Sequence, residues 1–285
     1  MSAKLPLINL NKPISSTLVF DLKLAVRRFG AFRLAVAPET TQDCPDVVIE
    51  NAREFFGQPI AAKTDITGYS SFASERVRGR TEIPKESIYF FRHGAEPDHL
   101  KGPSYNLYRS VKSLHEEWTP IRLQLLKTIS QALDSDTPLT GTTLLDSATI
   151  GIHYYDSRSL PDFSADFSPP HMDSGTLTIL FRSHNENDGL EIADLETTEK
   201  QDSEGVGSEA SFIHVPTLGD GAPEVVVFVG TRLQRLLGSE RARACVHRVR
   251  GPGPEGHNNF GVQRFSIAMF CAPSKPSTSP PSSSS

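Results

Sequence analysis

A chain of 285 residues, 37% hydrophobic and 22% charged, has the composition of a globular protein that can build one large domain or two small ones. Its net charge of −5 argues against nucleic acid or an acidic membrane as a partner, and no apolar run approaches the length of a membrane span. Three cysteines without a CxxC pair, and a start without an apolar signal core, argue against a disulfide scaffold and predict a cytoplasmic protein.

The first 140 residues show apolar positions at helical spacing, interrupted by short strand-like runs. These patterns predict, in chain order, a strand at 5–11, a helix from Ser15 or Ser16 to Gly30, a strand at 31–36, a helix from Pro45 to Gly57, and a helix at 113–133. We assign their apolar stripes to the core.

From about residue 142 the apolar period changes from helical to alternating. At least seven short segments, among them SGTLTILFR, EVVVFVG and GVQRFSIAMF, alternate in this way between Gly, Pro, Asn and Asp turns. This succession predicts a sandwich, barrel or jelly roll.

His171 and Asp173 stand two positions apart just before one of these strands. In extended backbone, residues i and i+2 share a face, so both side chains could point at one metal ion. Of the later histidines, His247 suits a third ligand because it lies inside the strand pattern ARACVHRVR, although a hydrogen-bonded core histidine is the simpler interpretation. Two imidazoles and a carboxylate form the facial triad of Fe(II) oxygenases, but zinc hydrolases also use this set.

Two further pairs at i, i+2 spacing carry polar groups on strands. Arg264 and Ser266 share a face in QRFSIAMF, where a buried guanidinium needs an anionic partner and could clamp a carboxylate. His153 and Tyr155 share a face in IGIHYYD and could hydrogen-bond an acid in the same cavity; an exposed polar face is the alternative.

The order HxD, H, RxS resembles the isopenicillin N synthase-like family of Fe(II)/2-oxoglutarate dioxygenases. The resemblance covers most of the chain and includes FGAFRLAV, NAREFFGQPIAAK and RFSIAMFCAP. It implies an α+β fold with a mainly β core, a double-stranded β-helix (jelly roll) flanked by N-terminal helices. One catalytic domain would span residues 1–272, mostly helical to 140 and jelly roll over 141–272. Residues 273–285 would form a disordered Ser/Pro tail.

The resemblance also implies a role for each of the residues singled out above. Fe(II) would be bound by His171, Asp173 and His247, and the distal carboxylate of 2-oxoglutarate by Arg264 and Ser266 with help from Tyr155. His153 stands where the family usually has Asn, near the other end of the cosubstrate. The implied reaction consumes O₂ and 2-oxoglutarate, releases succinate and CO₂, and hydroxylates, desaturates or cyclises a small metabolite, as in secondary metabolite biosynthesis.

Three alternatives remain open from the sequence. An isopenicillin N synthase-type oxidase would use iron and O₂ without 2-oxoglutarate, and its RxS pair would hold the substrate's carboxylate. The segment KESIYFFRHGAEPDH (residues 85–99) resembles part of that enzyme's substrate side. A non-catalytic jelly roll that binds a small molecule would not need both motifs, and a zinc hydrolase would leave Arg264 unexplained.

A basic cluster suggests where a substrate could bind. The resemblance places ERVRGRTEIPKES (residues 75–87) near the mouth of the barrel, and this segment carries three arginines in an otherwise acidic protein. A solvated loop is the simpler interpretation. The alternative is that Arg78 or Arg80 receives an anionic group, such as the carboxylate of an amino-acid-derived substrate.

Overall fold

The protein is described by a computed structural model that covers residues 4–10, 13–35, 44–77, 81–91, 100–133, 147–156, 166–182, 189–197, 211–215, 224–251 and 263–273. Two β-sheets face each other and three helices pack on the outside of the larger one. The helices are α1 (Ser16–Arg28), α2 (Cys44–Phe56), α3 (Pro103–Ala132) and the short α4 (Thr231–Leu237).

The strands follow the order of the chain. They are β1 (Leu7–Asn9), β2 (Ala31–Ala35), β3 (Tyr69–Ser70), β4 (Arg76–Val77), β5 (Thr81–Glu82), β6 (Lys85–Phe90), β7 (Ser147–Asp156), β8 (Asp166–His171), β9 (Leu177–Arg182), β10 (Leu190–Ala193), β11 (Phe212–His214), β12 (Glu224–Val229), β13 (His247–Arg250) and β14 (Gln263–Ala272). The larger sheet has the order β1-β2-β12-β9-β14-β7-β6-β3, the smaller β11-β10-β13-β8, and β4 pairs with β5 in a hairpin of its own. This is the double-stranded β-helix that the family resemblance implies.

Local signals explain where the first helix begins and ends. The hydroxyl of Ser15 accepts the amide of Leu18 at 3.2 Å and so caps α1. Gly30 then turns the chain with φ +62°, and an added Cβ would lie 2.4 Å from the carbonyl oxygen of Arg243. Only glycine therefore lets α1 pass directly into β2 against the segment that leads to His247.

The third helix is longer than the apolar pattern predicts. It begins at Pro103, not at residue 113, because Pro103 follows the turn at Gly102 and a proline suits the first helical position. The added turns bury Leu107 and Val111, which continue the apolar stripe toward the helix start.

The larger sheet separates two apolar layers. Its outer face meets α1, α2 and α3 in the main core, where the ring of Trp118 lies edge-on to that of Phe181 at 4.6 Å. Its inner face meets the smaller sheet around Leu180, Phe228 and Ala268. Alternation along β7 sends Ile150 and Ile152 to the outer core, which leaves its other face for the space between the sheets.

No helix within the described parts of the chain combines the length and apolarity that a membrane crossing requires. Residues 274–285 of the predicted tail lie outside the described residues.

Candidate active site

His171 and His247 face each other across two neighbouring strands of the smaller sheet. They are register partners in the antiparallel pair of β8 and β13, and their ring centroids are 4.2 Å apart. Together with Asp173, just after β8, they place one ligand atom each within 4.8 Å of the others. The structure thus brings together the three residues singled out in the sequence.

Backbone carbonyls orient both imidazoles. Nδ1 of His171 lies 2.8 Å from the carbonyl oxygen of Pro169, and Nδ1 of His247 lies 3.4 Å from that of Cys245. A carbonyl only accepts, so each Nδ1 carries the proton and each Nε2 offers its lone pair to a metal. Burial and the neighbouring His171 lower the pKa of His247, which favours the neutral form that a metal requires.

Asp173 is held from two sides. Its Oδ2 accepts the hydroxyl of Thr178 at 2.6 Å, which leaves Oδ1 for a metal. Its carbonyl oxygen accepts the amide of Thr231 at 2.8 Å, and the carbonyl of Gly175 accepts the amide of Arg232 at 3.1 Å. The amides at the start of α4 therefore hydrogen-bond to the loop that carries the carboxylate and fix its position.

The contact between α4 and the Asp173 loop depends on the close approach of two glycines, Gly175 and Gly230. A Cβ added to Gly230 would lie 2.1 Å from the carbonyl oxygen of Gly175 and 3.3 Å from that of Asp173. No side chain fits between α4 and the ligand loop. Gly230 ends the predicted strand EVVVFVG, but no local pattern shows how closely its backbone approaches Gly175.

Arg264, Ser266 and Tyr155 line the opposite wall of the cavity. Arg264 and Tyr155 are register partners across β14 and β7, and the guanidinium carbon lies 4.9 Å from the centre of the Tyr155 ring. Nη1 of Arg264 donates to Oγ of Ser266 at 3.2 Å. All three side chains are buried, so the exposed-face alternative for β7 is wrong at Tyr155.

His153 is also buried, and it is joined to a lysine that the sequence did not single out. Its Nδ1 lies 3.1 Å from Nζ of Lys85 and 3.0 Å from Oγ of Ser87. An ammonium only donates, so Nδ1 accepts and the neutral ring carries its proton on Nε2. Burial, followed by the charges of Lys85 and Arg264, holds the pKa of His153 well below its ordinary value.

Lys85 keeps its charge in this buried position. Burial alone lowers its pKa, but the phenols of Tyr155 and Tyr89 and the carboxylate of Glu75 outweigh burial, so the pKa is raised. Nζ lies 3.0 Å from Oε2 of Glu75. Lys85, Ser87 and Tyr89 alternate along β6, so the sequence shows that they share a face but not that this face enters the barrel.

These groups enclose one cavity of about 210 Å³ between the sheets. His171, His247 and Asp173 form one wall, and Arg264, Ser266 and Tyr155 another. The rest of the lining is largely apolar and consists mainly of Ile83, Leu180, Leu190, Phe228, Val249 and Phe270. A polar corner is formed by Glu75, Lys85 and His153. The cavity is therefore lined by a candidate metal-binding set, a buried cation and a second polar group.

The predicted substrate arginines are not placed by the structure. Arg78 and Arg80 lie outside the described residues, and Arg76 from the same cluster is exposed. The segment 75–87 does contribute to the cavity, through Glu75, Ile83 and Lys85.

The part of the chain that carries this site matches a known protein family. Residues 147–273 match the sequence model of the 2OG-Fe(II) oxygenase superfamily. This region contains all seven predicted metal and cosubstrate residues. No curated protein matches the chain.

Solved structures share the fold at low sequence identity. A putative 2OG-Fe(II) oxygenase family protein from Caulobacter crescentus is 20% identical, with a TM-score of 0.70 over 95% of this chain and 87% of that chain. A full-length Neurospora crassa protein solved in complex with alpha-KG and thymine is 20% identical, with a TM-score of 0.68 over 94% and 86%. The rice dioxygenase for auxin oxidation is 20% identical, with a TM-score of 0.62 over 94% and 83%.

Proposed function

Because residues 147–273 form a 2OG-Fe(II) oxygenase domain and the chain is an Fe(II)/2-oxoglutarate-dependent dioxygenase, we propose that it oxidises a small-molecule metabolite in the cavity between its two sheets. The outcome would be hydroxylation, desaturation or ring closure. One observation carries the proposal: the three metal-ligand side chains and the buried Arg264 line the same cavity. The isopenicillin N synthase-like subfamily remains a prediction from the sequence.

The residues fit both cofactors. His171, Asp173 and His247 present two imidazole nitrogens and one carboxylate oxygen from one side, which leaves coordination positions open toward the cavity, as Fe(II) oxygenases require. Arg264, with Ser266 and Tyr155 beside it, offers the charged donors that bind a carboxylate end-on. When bound, Fe(II) and 2-oxoglutarate supply O₂ activation with succinate and CO₂ as coproducts.

The chain's own contribution is orientation and exclusion of water. Thr178 and the start of α4 fix the Asp173 carboxylate, and the two backbone carbonyls fix the imidazoles, so the ligand set is organised before a metal arrives. We assign the Nε2 proton of His153 to a hydrogen bond with the cosubstrate, in place of the amide of the family's usual Asn. The apolar walls formed by Leu180, Phe228 and Val249 keep the surroundings of the reacting group poor in water.

Small organic substrates are supported by the relatives that share the fold. The Neurospora protein was solved in complex with alpha-KG and thymine, and the rice protein is a dioxygenase for auxin oxidation. A carboxylate-bearing substrate held by Arg78 or Arg80 remains a separate prediction, since both residues lie outside the described part of the chain.

The proposal is tested by measuring O₂ uptake and succinate formation by the Fe(II)-loaded protein, with and without 2-oxoglutarate, over a panel of candidate metabolites. We expect succinate to form only with both iron and 2-oxoglutarate, and not in the His171→Ala variant. O₂ uptake that needs a substrate but is indifferent to 2-oxoglutarate would instead support the oxidase. Ligand binding with no O₂ uptake under any condition would support a binding protein.

A further inference from the structure

We propose that Glu75 and Lys85 form the substrate-recognition corner of this cavity, and that they bind a neutral group in which an N–H or O–H donor stands beside a carbonyl, as in a lactam, an imide or a primary amide. The inference rests on the proposed function and names the substrate class for the same site. Four observations support it: the strand position of Lys85, the number of its partners, a buried oxygen of Glu75 without a partner, and the charge balance of the pair.

Strand register places Lys85 on the cosubstrate side of the barrel but apart from the arginine. Lys85 pairs with Tyr155 across β6 and β7, and Tyr155 pairs with Arg264 across β7 and β14. Two strand spacings separate Lys85 from Arg264, which amounts to about 10 Å between backbones. The phenol of Tyr155 stands between the two cations, so one carboxylate anchor and one separate polar corner share the same wall.

Lys85 has donor capacity left for a ligand. An ammonium carries three N–H groups. Within the described residues one of them meets Oε2 of Glu75 at 3.0 Å and another meets Nδ1 of His153 at 3.1 Å. The third is available to a carbonyl oxygen in the cavity.

Glu75 has an acceptor oxygen left for a ligand. Its Oε2 accepts from both Lys85 and the hydroxyl of Tyr89, the latter at 3.1 Å. Its Oε1 is buried and has no hydrogen-bond partner among the described residues. A buried carboxylate oxygen without a donor is costly, so this atom calls for an N–H or O–H from a ligand.

The corner is fixed by its surroundings before any ligand binds. The carbonyl of Glu75 accepts the amide of Ile83 at 2.9 Å, which ties the start of the β4–β5 hairpin to its end. The ring of Tyr89 packs edge-on to His153 at 5.7 Å, over Gly151, where an added Cβ would lie 2.8 Å from that ring. Donor and acceptor are therefore presented by a rigid wall, which lowers the entropy cost of binding.

Charge decides between a neutral and an anionic ligand. The carboxylate of Glu75 already neutralises the Lys85 ammonium, so a second carboxylate at this corner would meet Oε1 of Glu75 as a like charge. A neutral donor beside a carbonyl satisfies the spare N–H and the orphan oxygen together. A single hydroxyl satisfies both only where its one oxygen lies within hydrogen-bond reach of Nζ and Oε1 at once.

The first test compares ligands on the anaerobic wild-type holoenzyme loaded with Fe(II) and 2-oxoglutarate. Calorimetric titration with δ-valerolactam, its N-methyl derivative, δ-valerolactone and cyclopentanecarboxylate varies the N–H donor and the charge while an acceptor oxygen is always present. We expect the lactam to bind about tenfold to a hundredfold more tightly than the N-methyl lactam or the lactone, the range that one hydrogen bond to a charged group allows. No lactam binding, no preference for the free N–H, or tighter carboxylate binding would overturn the proposal.

The second test changes the corner itself. In Glu75→Gln, Lys85 and Tyr89 both donate to one side-chain oxygen, so the amide NH₂ takes the place of Oε1 and turns an acceptor into a donor. We expect the lactam preference over N-methyl lactam to disappear. Glu54→Gln, an exposed site on α2, is the matched control and should keep it. The double variant Glu75→Gln/Lys85→Met leaves no buried charge alone and should bind neither ligand.

The same variants separate this inference from the proposed function. Glu75→Gln should retain iron and the substrate-independent decay of 2-oxoglutarate, because Glu75 contacts neither the iron ligands nor His153. The double variant also removes the Lys85 donor to His153 and is therefore compared for lactam binding alone. A large rise in the 2-oxoglutarate requirement of Glu75→Gln would place this corner on the cosubstrate and overturn the inference. If the wild-type protein binds no iron or does not consume 2-oxoglutarate, the proposed function is overturned, whatever the lactam result.

Discussion

The hydroxyl of Thr178 donates to Oδ2 of Asp173 at 2.6 Å, across the turn that separates the ligand loop from β9. This bond fixes the carboxylate so that one oxygen faces the two histidines. Partners of metal ligands commonly contribute tenfold to a hundredfold in metal affinity.

Thr178→Val keeps the shape of the side chain and removes the donor. We expect Fe(II) affinity to fall by about tenfold, with the melting temperature of the metal-free protein nearly unchanged. Anaerobic competition with a chromogenic chelator measures the affinity. Thr128→Val, at a buried threonine of α3 far from the site, is the control and should bind iron like the wild type. Equal iron affinity in both variants would mean that Thr178 does not orient Asp173.

Replacing Arg264 tests the cosubstrate anchor. A hydrogen bond to a charged group contributes roughly 1.5–3 kcal/mol, so Arg264→Met should raise the apparent KM for 2-oxoglutarate by about one to two orders of magnitude. Arg264→Lys should recover part of this loss, because it restores the charge but not the two-pronged geometry. Iron content should stay at the wild-type level in both. An unchanged KM in Arg264→Met would remove the arginine from the cosubstrate site.

Gly230→Ala should damage the metal site through the backbone. The added methyl group would overlap the carbonyl of Gly175 at 2.1 Å and push the loop that carries Asp173. We expect a loss of about 1–3 kcal/mol in unfolding free energy, together with weaker iron binding. Leu22→Ala, a core truncation in α1, costs about 2–5 kcal/mol and should leave iron affinity intact. The comparison separates general destabilisation from displacement of the ligand loop.

The buried His153 predicts a specific sensitivity to acid. Its folded-state pKa lies well below the ordinary value of 6.5, so the unfolded chain takes up a proton that the folded chain refuses. The unfolding free energy should therefore fall as the pH drops below 6.5 toward the folded-state pKa. His153→Asn removes this contribution, and its stability should decline less between pH 7 and 5.5. Urea titrations of the metal-free proteins measure it, and parallel pH profiles would contradict the prediction.

Local rules were enough to predict much of this protein from its residues. Alternation in 142–272 predicted the strands, and i, i+2 spacing paired His171 with Asp173 and Arg264 with Ser266, because side-chain direction in a strand has a fixed period. The Gly102-Pro103 pair indicates the observed start of α3 at Pro103. The apolar stripe is clearest further along the helix, and for that reason the predicted helix began at residue 113. The choice of His247 needed both the strand pattern and the family resemblance.

Which strand faces meet depends instead on long-range pairing. Lys85 and His153 are 68 positions apart and become neighbours because β6 joins the sheet next to β7, and no local pattern encodes that pairing. The same long-range closure brings α4 against the Asp173 loop and turns Glu75 inward. Burial decides the energetic cost of these groups. On the surface a lysine and a glutamate cost little free energy, but in a buried cavity each charged group is destabilising unless it has a partner.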